Sequence, residues 1–322
     1  MKFGILQFFS WPERRTALRL VYERALQRIE IMDQTGYDAV WLTEHHFSDY
    51  SVCPSIPVMG AHVAARTKRL RIGAGITLAA FYHPLRLAEE LALLDILSDG
   101  RVNWGAGRGF DAREFRIFGV PIDQSAERFH EAVDIVVAAW RSERLTWRGQ
   151  FHSFEDVEVL PKPLQQPHPP MWVAAGSNEA LEWAASRGYS VLIGPHASDA
   201  AMGAQWELFR DRLTQHGHSI DGRQIPMARL LAIAPTDREA AQIAYDGAKW
   251  LLKTYVDPKR LGIAGDPIQR YVDSIVIHGS PERVADRIAR LREEGHMEYL
   301  IGAPLSHGTF LSFTEQVMPK FI

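Results

Sequence analysis

The chain has 322 residues, 46% of them hydrophobic and 23% charged, with a formal net charge of -3. That balance suits a globular enzyme and leaves no basic footprint for nucleic acid or an anionic membrane. The single cysteine, Cys53, excludes an internal disulfide and a multi-cysteine metal site; with no run of about 18 apolar residues and no signal-like N-terminus, a cytoplasmic location and no membrane partner are expected.

Lys2 to Phe8 reads as a buried strand, and Thr16 to Gly36 as a helix with Leu20, Ala25, Ile29 and Met32 on one face and a glycine cap. Ala39 to Glu44 is a second strand, Val58 to Thr67 a helix, and Leu70 to Leu78 a third strand. His83-Pro84 opens a helix carrying Leu87, Leu91, Leu94 and Leu97. Asp99-Gly100 turns the chain into a fourth strand, Arg101 to Gly107, and a polar loop leads to a helix from Ser125 to Trp140.

Over 145–170 the rhythm breaks, with a hairpin turn at Trp147 to Gln150 and then a proline-rich run, which marks an insertion after strand four and its helix. Strands resume at Met171 to Ala175, Val191 to Ile193, Met227 to Ala234 and Tyr299 to Ile301. Helices are expected at Asn178 to Arg187, Ala200 to His216, Glu239 to Tyr255 and Ser280 to Glu294, with Phe313 to Phe321 closing the chain. Residues 257–271 show no clear period and are expected to form a loop over the mouth, either mobile or packed. Eight strand-helix units predict an α/β fold, a TIM (β/α)8 barrel spanning 1–322 as a single domain.

In such a barrel the chemistry collects at the C-terminal ends of the strands. The second strand ends in Glu44-His45-His46, a carboxylate and two imidazoles where an apolar run stops. A lone histidine there is most often a satisfied rim residue, but three ionisable groups in succession point to function. Neighbouring strand residues face opposite ways, so these three with His83 make a poor metal site, and no metal is expected. Glycines crowd three other strand ends: Gly73 and Gly75, Gly105 to Gly109, and Gly176. They either pack closely inside the barrel or let a flat ligand or phosphate approach the backbone. Gly176-Ser177-Asn178 is also a helix start suited to a phosphate, with Arg108 as the opposing cation. No dinucleotide fingerprint, Walker loop or H-E-x-x-H helix occurs. Phe8, Trp11, Phe47, Phe81 and Phe110 are expected to give the site an apolar or aromatic lining.

Taken together, these residues resemble the bacterial-luciferase-like flavin-dependent monooxygenases, most closely the luciferase α subunit. The likeness runs from Met1-Lys2-Phe3-Gly4 through Val40-Trp41-Leu42-Thr43-Glu44-His45-His46-Phe47, His83-Pro84, Leu94 to Arg101, Gly107-Arg108-Gly109, Phe115 to Gly119 and Glu182-Trp183-Ala184-Ala185, to Val317-Met318-Pro319. The resemblance implies a barrel binding FMN at its mouth. Glu44 would lie beside the flavin, a non-proline cis peptide at Gly75-Ile76 would support the ring, and Arg108 would meet the phosphate. Phe110 would line the site, Gly176 and Ser177 would hold the phosphate from the other side, and His45 would be the catalytic histidine. Two positions depart from the luciferase pattern: Gly107 stands where α subunits carry a reactive cysteine, and Gly176 where they carry a glutamate, so light emission does not carry over.

The implied reaction uses reduced FMN (FMNH2) and O2, through a C4a-peroxyflavin, to oxygenate a small apolar organic substrate of the aldehyde or ketone class. A separate NAD(P)H:flavin reductase and a homodimer are implied as partners. Two alternatives stay open. One is an F420-dependent oxidoreductase on the same barrel, against which the Glu44-His45-His46 run argues; the other is a non-catalytic flavin-binding accessory barrel.

Overall fold

The computed structural model of this chain describes residues 1–322 except 222, 224–225, 255–265 and 295–296. Runs that are apolar throughout, with no alternating polar face, can be satisfied only where both faces of a sheet are covered. The strands are β1 (Lys2–Gln7), β2 (Ala39–Leu42), β3 (Arg71–Ala74), β4 (Thr77–Leu78), β5 (Val102–Gly107), β6 (Leu145–Arg148), β7 (Ser153–Val157), β8 (Met171–Ala174), β9 (Ser190–Leu192), β10 (Pro226–Ile233), β11 (Val276–Gly279) and β12 (Tyr299–Pro304). Every residue of β2, β5 and β10 is buried.

Apart from the β6–β7 hairpin, all of them join one parallel sheet in the order β11-β10-β12-β1-β2-β3-β5-β8-β9, with β4 also pairing with β5. The eight expected strands thus follow one another around a curled sheet, and the first and last are neighbours, Lys2 opposite Tyr299. This is the expected α/β barrel order. Its ladder is open at one seam among the described residues: β9 and β10 are not bridged, and β11 pairs instead with the C-terminal half of β10.

The helices are α1 (Leu18–Thr35), α2 (Ile56–Arg66), α3 (Pro84–Leu97), α4 (Ala112–Phe118), α5 (Ser125–Arg141), α6 (Asn178–Ser186), α7 (Asp199–Gln215), α8 (Asp237–Thr254), α9 (Pro267–Ile275), α10 (Pro281–Glu293) and α11 (His307–Ser312). Gly36 ends α1 in the left-handed region and Pro84 begins α3, both as the sequence predicts. None of the described helices is long and apolar enough to cross a membrane.

Three local expectations need correction. The third strand is split into β3 and β4, with the cis Gly75–Ile76 peptide between them. The polar loop before residue 125 contains α4, whose Asp111 side chain caps it at the Arg113 amide. Of the loop expected over 257–271, residues 257–265 lie outside the described residues, and Asp266 caps α9, which leads straight into β11. The closing segment is α11 followed by a π turn and a 3-10 turn.

The barrel centre is filled by Trp41, fully buried and bonded through Nε1–H to the Tyr299 hydroxyl at 3.0 Å. Its ring excludes side chains from the neighbouring strands: a Cβ on Gly73 would lie 2.5 Å from the indole. At Gly105 the obstruction is backbone, since a Cβ would fall 1.9 Å from the Ala74 carbonyl oxygen. Gly105→Ala must push β5 from β3 and should destabilise the protein by about 1–3 kcal/mol or more. Gly308→Ala, whose nearest obstacle is Ser306 Oγ at 3.8 Å, should leave stability unchanged or raise it by up to about 1 kcal/mol. Urea midpoints of the two variants check the difference.

Candidate active site

The β2 strand ends at Leu42, so Thr43 to Phe47 are free of the strand's alternation and can spread over the mouth. Glu44 is 2% exposed. Its Oε1 accepts from His46 Nε2 at 3.1 Å, while Oε2 is buried and has no partner at hydrogen-bond geometry among the described residues. Burial raises the Glu44 pKa, with His46 and the Tyr82 hydroxyl pulling the other way.

A second carboxylate serves the same segment. Glu114, buried on α4, accepts the His46 amide N–H at 2.8 Å, and its Oε1 lies 3.8 Å from His45 Nδ1. The His45 ring also packs edge-on against Tyr50, at 4.9 Å between centroids. His45 and His46 therefore face different carboxylates and do not converge on one point. Nothing in the strand pattern exposes Glu114. The usable signal is the capping-box spacing Asp111-x-x-Glu114, but here the glutamate turns to His46 instead of back to its own helix.

These groups border a cavity of about 790 Å³ at the C-terminal mouth of the barrel, within the range of roughly 300–1,000 Å³ usual for small-molecule sites. Glu44, His45, Gly75, Ile76, Arg108, Phe110, Gly176 and Ser177 all line it. Gly107 does not: it is buried, and a Cβ there would meet Ile76 Cδ1 at 1.9 Å. Of the expected aromatic lining, Phe8 and Phe110 are present. Trp11 instead donates to the Thr16 carbonyl, while Phe81 stacks on Phe118 with Phe47 beside it.

The glycines divide by function. Gly73, Gly75, Gly105 and Gly107 are required by packing, whereas a Cβ at Gly176 or Gly194 would enter open space. Ser177 caps α6 by accepting from the Ala180 amide, so the helix start opens onto the cavity between Gly176 and Arg108. His130 of α5 lines the same end and stacks on Trp183 at 4.2 Å; burial first, then Arg187 and Arg108, lower its pKa to about 4. The sole cysteine, Cys53, is buried away from this end, and burial pushes its thiol up to about 12.

The sequence pattern of the luciferase-like monooxygenases matches residues 1–297. The chain belongs to that family. It is 38% identical over 196 residues to the uncharacterized protein y4wF of Sinorhizobium fredii (61% of this chain, 57% of the relative). It is 31% identical over 202 residues to the oxygenase component of the flavin-dependent trigonelline monooxygenase of Acinetobacter baylyi (62% and 56%). Against the alkanal monooxygenase alpha chain of Aliivibrio fischeri the identity is 27% over 257 residues (80% and 71%). The chain spans about half the length of the first three curated relatives, 57%, 49% and 56%.

Among solved structures, monooxygenase RslO1 from Streptomyces bottropensis superposes with a TM-score of 0.89 at 29% identity, both chains covered in full. Two others show the fold alone. The oxygenating constituent of 3,6-diketocamphane monooxygenase from Pseudomonas putida, in complex with FMN, gives 0.83 at 19% identity, covering 100% of this chain and 99% of its own. An F420-dependent secondary alcohol dehydrogenase gives 0.79 at 18%, with 99% and 98% covered.

The cavity wall along the seam carries His196, which follows β9 at one of the strand ends where barrel chemistry collects. Its Nδ1 shares a short hydrogen bond with the Tyr271 hydroxyl of α9. Burial holds the His196 pKa down at about 4, against about 6.5 in an unfolded chain. Between those values the folded protein binds fewer protons than the unfolded one, so this imidazole withdraws stability as pH falls from about 6.5 to about 4. His196→Gln should flatten the fall in urea midpoint between pH 7 and pH 4.5. An unchanged slope would assign that fall to other groups.

Proposed function

We propose that this protein is an FMN-dependent monooxygenase that oxygenates a small apolar substrate of the aldehyde or ketone class. One observation carries the reading. One cavity is lined by Glu44 and His45, just beyond β2, by Arg108, just beyond β5, and by Gly176 and Ser177 at the open α6 start beyond β8. A planar ring with a phosphate tail matches that spread of groups, and the unpartnered Glu44 Oε2 supplies a polar contact for the ring. In this reading Ser177, the Gly176 backbone and Arg108 hold the phosphate, Ile76 and Phe110 bound the ring, and the bond between Gly75 and Ile76 sets the approach of the backbone.

Reduced FMN, when bound, supplies two electrons for O2 reduction; one oxygen atom enters the substrate and the other leaves as water. The chain does the rest. Apolar walls at Leu6, Phe8, Leu78 and Ile301 keep water from the reacting end. His45 takes and returns a proton at its ring nitrogen, a task an imidazole performs near neutral pH, and Glu114 orients it. We assign the protein to the cytoplasm as a homodimer that receives reduced FMN from a separate NAD(P)H:flavin reductase. The oxygenase-component relative supports that partner.

Mixing the protein and photoreduced FMN with oxygenated buffer in a stopped-flow spectrometer should give a transient distinct from reduced and oxidised FMN, consumed faster when an aliphatic aldehyde or ketone is present. Oxidation at the free-flavin rate both with and without every substrate tried overturns the reading. His45→Ala should lower product formation by about 100-fold or more while FMN affinity stays within about twofold. Undiminished turnover would make His45 structural. Arg108→Ala should weaken FMN by about tenfold and leave riboflavin unchanged, because only FMN offers a charged partner for the guanidinium.

A further inference from the structure

The opposite, N-terminal face of the barrel holds a second cavity, of about 610 Å³, that shares no residue with the first. Lys2, Met171 and Ser190, which begin β1, β8 and β9, form its floor. Four cations line it, Lys2, Arg141, Arg187 and Arg223, against one carboxylate, Asp221.

Local partners offset that charge unevenly. Lys2 meets Asp38 at 3.3 Å and Arg187 pairs with Asp134, so two of the four are neutralised from outside the lining. Arg223 spends its guanidinium on neutral oxygens only, the Ser219 and Gly188 carbonyls at 2.9 and 2.8 Å and the Ser190 hydroxyl at 3.4 Å. Arg141 has no ion pair or hydrogen bond among the described residues. Arg141 closes α5 and Arg187 follows α6; each helix end contributes only roughly half a negative charge. Counting every one of these partners, the cavity is close to neutral, yet it presents two arginines, Arg141 and Arg223, with no carboxylate partner among those ion pairs.

The walls between these cations are flat and ring-rich. Tyr189 is half-buried, His168 lies beside Trp140, and the Trp172 edge reaches the lining while its ring stands T-shaped on Trp41, 5.5 Å away. Planar guanidinium forks match a phosphate or carboxylate in two bonds, and aromatic walls favour a planar ring.

We propose that this cavity is a second binding site, separate from the flavin cavity, for a planar aromatic anion of mononucleotide size. Its charged group meets Arg141 and Arg223 and its ring lies against Tyr189 and His168. Nothing at the barrel mouth is needed for it, because the two linings are disjoint.

Isothermal titration of the full chain with AMP, adenosine and inorganic phosphate tests the site. AMP should bind at least tenfold more tightly than either fragment and should not be displaced by FMN. Arg141→Glu, at an exposed position without a partner to lose, should weaken AMP by tenfold or more, and Arg141→Lys should retain most of the affinity. Arg108→Ala should leave AMP binding unchanged. The proposal is overturned if AMP binds no better than adenosine or phosphate, if Arg141→Glu has no effect, or if FMN or Arg108→Ala abolishes binding, which would place AMP in the flavin cavity.

Discussion

Trp41 decides how the barrel is built. An indole inside a curled sheet takes the volume that inward side chains at the facing glycine positions would need, so those positions carry none. The clash distances show the size of the constraint: a Cβ would come within 3.2 Å of the Trp41 ring at Gly4, 2.5 Å at Gly73, and 3.1 Å of the Trp41 Cβ at Gly75. With strands β1 and β3 pared down around it, the ring can bond to Tyr299 on one side and stand on Trp172 on the other. Trp41 borders the upper cavity and Trp172 the lower one. The two indoles, set edge to face, are thus a floor and a ceiling, and the barrel interior is a partition instead of a channel.

This division explains what the sequence could tell. Buried parallel strands leave an unmistakable trace, continuous apolar runs, and the eight expected strands are all present. Glu44 and His45 were legible because charge at the end of such a run has no structural excuse. Glu114 was not, since it comes from a seven-residue helix that looks like polar loop, and the partner it serves lies 68 residues earlier. The glycines were ambiguous for a physical reason. Packing and ligand approach both remove a side chain, and only the distances separate Gly107, blocked by Ile76, from Gly176, which faces open space. Likewise β11 is four residues whose strand character depends on the exposed edge of β10.

The crossed pairing of two carboxylates with two histidines is a way to keep a buried acid at the wall of a cavity. An isolated carboxylate at this depth would cost several kcal/mol, and removing one partner of a buried pair costs about 3–5 kcal/mol. Glu44 is held by His46, whose amide is in turn held by Glu114, so neither acid is left without a donor. His46 is pinned a third time by the Phe118 ring, edge-on at 4.8 Å. His45 packs on the Tyr50 ring, and the Glu114 oxygen lies farther from its ring nitrogen. His46 is thus fixed from three sides, while His45 lines the cavity.

The seam between β9 and β10 follows a different logic. Without ladder bonds there, side chains must join the two halves, and Arg229 does so from a fully buried position in β10. Its guanidinium donates to the Ala197 carbonyl at 2.9 Å and to Asp199 at 2.6 Å, both beyond β9, and Arg287 of α10 reaches the other Asp199 oxygen. Burial lowers the Arg229 pKa only to about 10, so the charge persists at neutral pH. A staple of this kind joins at one point, where a ladder joins at every second residue. Glu44, Gly75 and Arg108 stand on or just beyond strands of the continuous ladder, whereas Gly194, Pro195 and His196 stand along the seam. The groups proposed to hold the cofactor are therefore backed by a continuous run of backbone hydrogen bonds, and the wall that faces them is backed by a charge.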